Sequence, residues 1–233
     1  MKILFISLGC DKNLADSEEM LGLLTGNGHE IVDSEEEADA IVINTCCFIH
    51  DAKEESVNTI LEMAEYKKTG TCKILIVTGC MAQRYKEEIT KEIPEVDAVL
   101  GTTSYGDIVK ALNEAEAGHV FQEFKDINAL PEDSGRRVIT TGGHFGYLKI
   151  AEGCDKHCTY CIIPSLRGKF RSVPEERLLK QAEYMASQGV RELILVAQET
   201  TVYGTDLYGK KTLHILLKKL CQIKGIRWIR VLY

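Results

Sequence analysis

No stretch of this 233-residue sequence approaches the roughly 18–20 consecutive apolar residues of a membrane-spanning helix. Residues 1–9 are too short for the apolar core of a secretory signal peptide, and no small-residue cleavage site follows them. Excess positive charge is also missing, because 28 lysines and arginines stand against 35 aspartates and glutamates, a net charge of −7. Nonspecific binding to nucleic acid depends on neutralising phosphates, so this balance disfavours a general nucleic-acid-binding protein. We expect a cytoplasmic protein.

The composition is that of a folded protein with an unusual number of thiols. Hydrophobic residues make up 45% and charged residues 27%, which excludes wholesale disorder. The length suits one large domain or two small ones. Nine cysteines in a reducing compartment indicate metal ligands or redox groups rather than structural disulfides. A redox-sensing domain is disfavoured because the first hundred residues contain no thioredoxin-type C-x-x-C.

The first hundred residues alternate between two patterns. Apolar, β-branched runs lie at 2–8, 40–45, 73–78 and 97–100. Segments with helical spacing lie near 16–27, 51–67, 81–91 and 105–116. This alternation predicts an α/β domain whose parallel sheet has helices on both faces. Asp16 or Ser17 is the predicted N-cap of the first helix.

A polar segment that contains Pro131 interrupts the alternation, and we place a linker there. The predicted division is a first domain at 1–120, a linker at 121–137 and a second domain at 138–233. The second domain has predicted strands at 147–153, 192–199 and 228–233, and predicted helices at 174–189 and 212–225. Three such units are too few for a closed barrel, so we expect the chain to be part of a longer protein.

Cys154, Cys158 and Cys161 form a C-x3-C-x2-C motif directly after the first strand of the second domain. Three thiolates on one short loop can bind three irons of a [4Fe–4S] cluster and leave one iron open. An open iron can bind the amino and carboxylate groups of S-adenosylmethionine (SAM), and reduction then cleaves the sulfonium to a 5′-deoxyadenosyl radical. Zinc is the alternative, but structural zinc takes four ligands and His157 is awkwardly placed as the fourth. A ferredoxin-type electron carrier would use four cysteines per cluster.

Three further cysteines share a position relative to their strands. Cys10, Cys46 and Cys80 each follow an apolar run. Because the carboxyl ends of parallel strands meet at one edge of the sheet, these three thiols should converge. A second iron–sulfur cluster with an open iron is the favoured interpretation. Buried cysteines that act as small hydrophobes and a redox thiol cluster are the alternatives.

The remaining cysteines are less well placed. Cys47 is adjacent to Cys46, and neighbouring side chains on a strand point in opposite directions, so only one of the two should face the site. Cys46 fits the strand-end pattern. Cys72 precedes its strand and Cys221 lies in a predicted helix, so both are interpreted as bystanders.

Four segments resemble the radical-SAM methylthiotransferases. They are SLGCDKNLADSE at 7–18, INTCCF at 43–48, VTGCMAQRY at 77–85 and GCDKHCTYCIIPSLRGKFRS at 153–172. The resemblance implies a flavodoxin-like N-terminal domain with an auxiliary [4Fe–4S] cluster and a radical-SAM (β/α) partial barrel with a second cluster. The later barrel strands and the C-terminal TRAM domain of that family are not in this sequence.

The resemblance also implies an activity, that of a transferase of sulfur-containing groups. It is closest to members that add a methylthio group to the β-carbon of an aspartate in a small-subunit ribosomal protein, because DKN follows the first cysteine and LVAQETTVYGTDLYG stands at 195–209. Members that modify N6-isopentenyladenosine in tRNA have a GCQMN-type sequence there, and they are the alternative. The β-hydrogen of aspartate is not acidic enough for ordinary general-base removal, so a radical route is chemically reasonable.

Individual roles follow from the same resemblance. The auxiliary cluster is assigned to Cys10, Cys46 and Cys80, and the radical-SAM cluster to Cys154, Cys158 and Cys161. Tyr160 matches an aromatic position beside the SAM adenine, and packing within the loop is its alternative role. Gln198 and Glu199 match polar contacts to SAM. The alternative role of both residues is to cap the end of the strand. The implied partners are SAM, the ribosomal protein, a sulfur donor and an electron donor, with any RNA contact assigned to the C-terminal domain.

Overall fold

The computed structural model describes residues 1–132 and 135–232. The chain divides into two compact units, Met1–Arg137 and Val138–Tyr233. Within the described residues, no helix combines the length and the apolar character needed to cross a membrane.

The elements of the first unit alternate along the chain. Its strands are β1 (Lys2–Ser7), β2 (Glu30–Val32), β3 (Ala40–Thr45), β4 (Ile74–Gly79), β5 (Ala98–Leu100) and β6 (Phe121–Glu123). Its α-helices are α1 (Asp11–Gly26), α2 (His50–Thr69), α3 (Cys80–Arg84), α4 (Lys86–Glu92) and α5 (Ile108–Glu116). Two short 3₁₀ helices lie at Glu35–Glu37 and Tyr105–Asp107.

The six strands form one parallel sheet in the order β2-β1-β3-β4-β5-β6. The first five strands have the flavodoxin-like order, which reverses between β1 and β3. The two central strands, β3 and β4, are buried at all six of their positions because helices cover both faces. The predicted α/β class and parallel sheet are therefore confirmed.

Alternating side chains of the strands enter two separate layers. Ile3, Val42 and Ile76 pack in a core with residues of α1 and α5, which include Met20 and Ile108. Their neighbours along the strands point to the opposite face. On that face α2, which contacts β3 and β4, buries apolar side chains of its own.

The second unit is built on fewer strands. Its strands are β7 (Phe145–Lys149), β8 (Ala151–Glu152), β9 (Arg171–Ser172), β10 (Glu192–Val196) and β11 (Trp228–Val231). Its helices are α6 (Ile163–Arg167), α7 (Glu175–Ser187), α8 (Thr205–Tyr208) and α9 (Leu213–Leu220). A parallel sheet in the order β11-β10-β7 is joined by a two-stranded antiparallel pair, β8-β9. The three parallel strands are the first part of a barrel.

Several predicted bounds differ from the observed ones. The first helix begins at Asp11, so Asp16 and Ser17 lie buried in its interior and do not cap it. The helix predicted at 81–91 is broken at Tyr85 into α3 and α4. The predicted strand at 147–153 is two short strands, β7 and β8, of which the second pairs away from the sheet. The three-residue strands β2 and β6 were not predicted, because neither carries a recognisable apolar run.

The segment predicted as a linker is bound to the first sheet and to its helices. Residues 121–123 form β6, which pairs with β5. At the other end of the segment, Arg137 donates through Nη2 and Nε to Oε2 of Glu18 on α1, at 2.6 and 2.8 Å. The two side chains are 6% and 0% exposed. Two buried charges need this pairing because water no longer solvates them.

Arg137→Ala should therefore destabilise the first unit strongly. Removing one partner of a buried ion pair leaves the other charge uncompensated, at a cost of about 3–5 kcal/mol in the free energy of unfolding. A urea titration followed by circular dichroism measures this change. The matched control is Glu37→Ala, which breaks the exposed pair with Lys2 and should leave stability unchanged. Equal losses of unfolding free energy in the two variants would contradict a stabilising role for the buried Arg137–Glu18 pair.

Candidate functional site

Three cysteines of the first unit lie at neighbouring strand ends. Cys10 follows β1 as the N-cap residue of α1, Cys46 follows β3 directly, and Cys80 follows β4 as the first residue of α3. Since β1, β3 and β4 are adjacent parallel strands, all three cysteines lie at one edge of the sheet. This edge includes the point where the strand order reverses, which is where ligands of such sheets bind.

Two glycines allow the loops at this edge to approach one another. Gly9 has φ +94°, and a Cβ atom there would lie 2.7 Å from Cβ of Cys46 and 3.0 Å from its Sγ. The side chain of Cys46 therefore faces the loop that carries Cys10. Gly79 has φ +93°, and a Cβ atom there would lie 2.3 Å from Oδ1 of Asn44. Both positions need a residue without a side chain.

Cys47 points elsewhere. Its Sγ donates a hydrogen bond to the backbone oxygen of Cys80 at 3.3 Å. Burial raises the pKa of Cys47 to about 12, and the thiol of Cys80 adds to that effect while Arg84 opposes it. Cys47 is thus held as a neutral thiol, and the geometry favours Cys46 as the residue that faces the Cys10 loop.

The two other cysteines lie away from the strand-end edge. Cys72 is buried at the amino end of β4, where its Sγ donates to the backbone oxygen of Ile74 at 3.3 Å. Cys221 is exposed and follows α9. Their positions agree with the interpretation of both as bystanders.

The cysteine loop of the second unit, residues 153–162, is attached to the segment that leads into β9. The backbone N–H of Cys154 donates to the oxygen of Gly168 at 3.1 Å, and the N–H of Phe170 donates to Oδ1 of Asp155 at 2.9 Å. Gly153 has φ +69°, and a Cβ atom there would lie 2.1 Å from the backbone oxygen of Lys169. Cys158 is exposed, and the thiols of Cys154 and Cys161 are half-buried.

A buried group of charges lies immediately before this loop. Glu152 is 2% exposed, and its Oε1 accepts from Lys149 and lies 3.5 Å from Nη1 of Arg167. Burial by itself would raise the pKa of Glu152, but Lys149 and Arg167 outweigh it and hold that pKa below its usual range. Its Oε2 has no hydrogen-bond partner. The sequence signal for this group is a pair of charged residues, Lys149 and Glu152, inside an apolar strand pattern.

The three residues matched to SAM contacts have different environments. Tyr160 is 88% exposed. Oε1 of Gln198 is buried without a hydrogen-bond partner. Glu199 accepts from the hydroxyl of Thr201 and from Lys156, whose Nζ lies 3.0 Å from Oε2, and these two bonds lower its pKa. The strand predicted at 192–199 ends at Val196, so Gln198 and Glu199 lie in the turn that follows.

The donor set can be tested against an iron–sulfur cluster. Among residues 1–132 and 135–232, no three His, Cys, Asp or Glu side chains form a group that could hold a metal ion. A cluster, however, bonds each cysteine through a different iron, so its thiolates do not share one ligand position. Each unit carries three thiols on strand-end loops, and glycines in these loops permit close backbone approach. Sulfur donors in this arrangement fit an iron–sulfur cluster.

Thiol labelling tests the assignment of Cys47. In the cluster-free chain at pH 8, iodoacetamide should modify exposed Cys221 rapidly and Cys47 slowly, because only the thiolate reacts and burial keeps Cys47 protonated. Mass spectrometry of peptides from the natively labelled chain measures both rates. The rate at Cys47 should keep rising as the pH approaches about 12. Equal rates of modification at Cys47 and Cys221 at pH 8 would contradict the description of Cys47 as a buried, neutral thiol.

Gly9→Ala tests the close approach of the two loops. The substituted chain would carry both a strained φ and a clash with Cys46, so its free energy of unfolding should fall by about 2–4 kcal/mol. Gly28 is the matched control, because it has φ +84° with nothing within 4 Å of a Cβ atom. Gly28→Ala should cost about 1 kcal/mol, from backbone strain alone. A urea titration of both variants would reject the close approach if they lost the same stability.

Comparison with known proteins gives matches in both units. Residues 2–101 match the family described as uncharacterized protein family UPF0004, and residues 148–232 match the radical SAM superfamily. The "Ribosomal protein uS12 methylthiotransferase RimO" of Lachnoclostridium phytofermentans is 66% identical over all 233 residues, which cover 53% of that protein. The protein of the same name from Clostridioides difficile is 52% identical, again over the whole chain, and is covered to 52%.

Solved structures with similar folds have much lower sequence identity. The radical S-adenosylmethionine methyltransferase TsrM from Kitasatospora setae, solved with cobalamin and a [4Fe–4S] cluster bound, aligns with a TM-score of 0.60 at 11% identity. The alignment covers 97% of this chain and 55% of TsrM. The cobalamin-dependent S-adenosylmethionine radical enzyme OxsB aligns with a TM-score of 0.55 at 13% identity, over 97% of this chain and 38% of OxsB. These likenesses concern the fold alone.

The sequence matches cover the whole chain, and both family models lie inside the unit where the corresponding cysteines are found. The chain spans about half the length of the curated relatives that it matches. On these matches, residues 148–232 are similar to the radical SAM superfamily, and the whole chain is similar to the uS12 methylthiotransferases named above over about half of their length.

Proposed function

We propose that this chain is part of an enzyme that adds a methylthio group to the β-carbon of an aspartate in the small-subunit ribosomal protein uS12. Two [4Fe–4S] clusters and SAM are the proposed cofactors. The observation that carries the proposal is the presence of two sets of three cysteines, one at the carboxyl ends of three parallel strands in the first unit and one on the single loop after β8 in the second. The names of relatives at 66% and 52% identity support the substrate.

In the first unit, the proposed ligands of the auxiliary cluster are Cys10, Cys46 and Cys80. Cys46 suits this role better than Cys47, because its side chain faces the Cys10 loop while Cys47 is bonded to a backbone oxygen. Gly9 and Gly79 permit the close approach of the loops. Three protein ligands leave one iron for a sulfur that an outside donor supplies.

In the second unit, the proposed ligands are Cys154, Cys158 and Cys161. When bound there, a [4Fe–4S] cluster supplies the electron for reductive cleavage of SAM. The exposed ring of Tyr160 is available to stack on the adenine of SAM. Oε1 of Gln198, which has no partner, can accept a hydrogen bond from the cofactor, and Lys156 links the cysteine loop to Glu199.

Cysteine substitutions in the full-length protein test the two-cluster proposal. Cys10→Ala and Cys154→Ala should each halve the iron bound after anaerobic reconstitution, since each removes a ligand of one cluster. Reductive SAM cleavage should be lost only in Cys154→Ala, whereas methylthiolation of uS12 should fall to background in both. Iron analysis, chromatography of 5′-deoxyadenosine and mass spectrometry of uS12 measure the three quantities. Cys221→Ala is the matched control and should retain all of them.

Full methylthiolation by the Cys10→Ala protein would overturn the role of the auxiliary cluster. The substrate is tested separately, in a strain that lacks the full-length gene. Mass spectrometry should show that uS12 loses its methylthio group while tRNA adenosine keeps its own. Loss of the tRNA modification instead would leave the cluster chemistry intact and reject the ribosomal substrate.

A further inference from the structure

We propose that Asn13 is the positioning residue that holds the Cys10 and Cys46 loops of the first unit in the arrangement that a cluster requires. This inference rests on the proposed function, because it takes Cys10, Cys46 and Cys80 as ligands. Asn13 lies in the first turn of α1, three residues after Cys10, and is fully buried. It is not itself proposed as a ligand.

The side-chain amide of Asn13 contacts all three loops. Nδ2 donates to the backbone oxygen of Leu8, two residues before Cys10, at 3.0 Å. It also donates to the oxygen of Thr45, which directly precedes Cys46, at 2.9 Å. In the cluster-free chain, Oδ1 lies 3.8 Å from Sγ of Cys80 and accepts its thiol hydrogen. Ligation to iron removes that hydrogen, so the two bonds from Nδ2 are the ones that persist when a cluster is bound. One amide group thus joins the carboxyl ends of β1 and β3, next to the thiol that follows β4.

A second layer of polar side chains supports Asn13. Nδ2 of Asn44 donates to the backbone oxygen of Asn13 at 3.0 Å and to Oγ of Ser17 at 2.9 Å. Oγ of Ser17 is also hydrogen-bonded to Oγ of Ser7 at 2.7 Å. These contacts fix the first turn of α1 against β1 and β3, so the amide of Asn13 has little freedom to turn away.

The hydrogen bonds at this position require a side-chain amide. Only Asn and Gln carry two N–H donors and a carbonyl acceptor on one group, and the side chain of Asn is the shorter. Asp would present an oxygen to the two carbonyl oxygens that now accept from Nδ2. Asn is also a poor helix former, so its presence inside α1 is not explained by helix propensity. The contacts with the loops do explain it.

The experiment compares cluster retention in two backgrounds of the full-length protein. In the first, Cys154, Cys158 and Cys161 are replaced by Ala, so that only the first set of cysteines can bind. In the second, Cys10, Cys46 and Cys80 are replaced by Ala. Each background is reconstituted anaerobically, and loss of the cluster to EDTA is followed by its visible absorbance and by iron analysis, with and without Asn13→Ala.

Asn13→Ala should speed the loss of the first cluster by about tenfold or more, because it removes buried hydrogen bonds to both backbone loops. Loss of the second cluster should be unchanged. Ile76→Val is the stability control, because it loosens the core of the same sheet without touching the loops. If Asn13 had only a structural role, Asn13→Ala would change the rate of cluster loss no more than Ile76→Val does. If Asn13→Ala does not fold, Asn13→Asp, which has nearly the same shape, replaces it.

The outcomes separate this inference from the proposed function. Retention of the first cluster in the folded Asn13 variant at the rate of the Ile76→Val control would overturn the role of Asn13 alone. Equal acceleration of both clusters would overturn it as well, since the effect would then be global. Failure of the first background to bind iron even with Asn13 in place would overturn the proposed function, and this inference with it.

Discussion

A parallel sheet covered on both faces leaves only its strand ends available for chemistry, and the first unit depends on that constraint. β3 and β4 are buried along their entire lengths, so a polar side chain in the middle of either strand would lose its solvation. Parallel strands also direct all their carboxyl ends to one edge. Polar and thiol groups lie at that edge, where Asn44 and Thr45 at the end of β3 donate hydrogen bonds to backbone oxygens of α1 and β4.

The two units solve the problem of holding three thiols in different ways. The first takes one cysteine from each of three strand ends, so the spacing of its thiols depends on contacts between segments far apart in the chain. The second places three cysteines on one loop and fixes the base of that loop with Glu152, Lys149 and Arg167. Buried charges are costly to desolvate, so such a group constrains geometry more than it adds stability.

Strong periodic signals predicted much of the fold. Apolar runs predicted the positions of β1, β3 and β4. The same pattern predicted that Cys10, Cys46 and Cys80 follow these strands. The start of α1 could not be found in this way, because the first half of this helix buries polar residues such as Asp16 and Ser17 and lacks an apolar stripe of its own. The edge strands β2 and β6 are not predictable from the sequence, because three residues are too few to show a hydrophobic period.

The sequence alone determined the α/β class, the parallel sheet and the placement of cysteines at strand ends, because these depend on local hydrophobic pattern and on strand direction. Tertiary structure decided which polar groups meet there. Arg137 pairs with Glu18 across 119 residues, and Asn13 contacts Cys80 across 67. Such contacts depend on the order of strands in the sheet and on the approach of loops at glycines, and no local pattern in the chain encodes either.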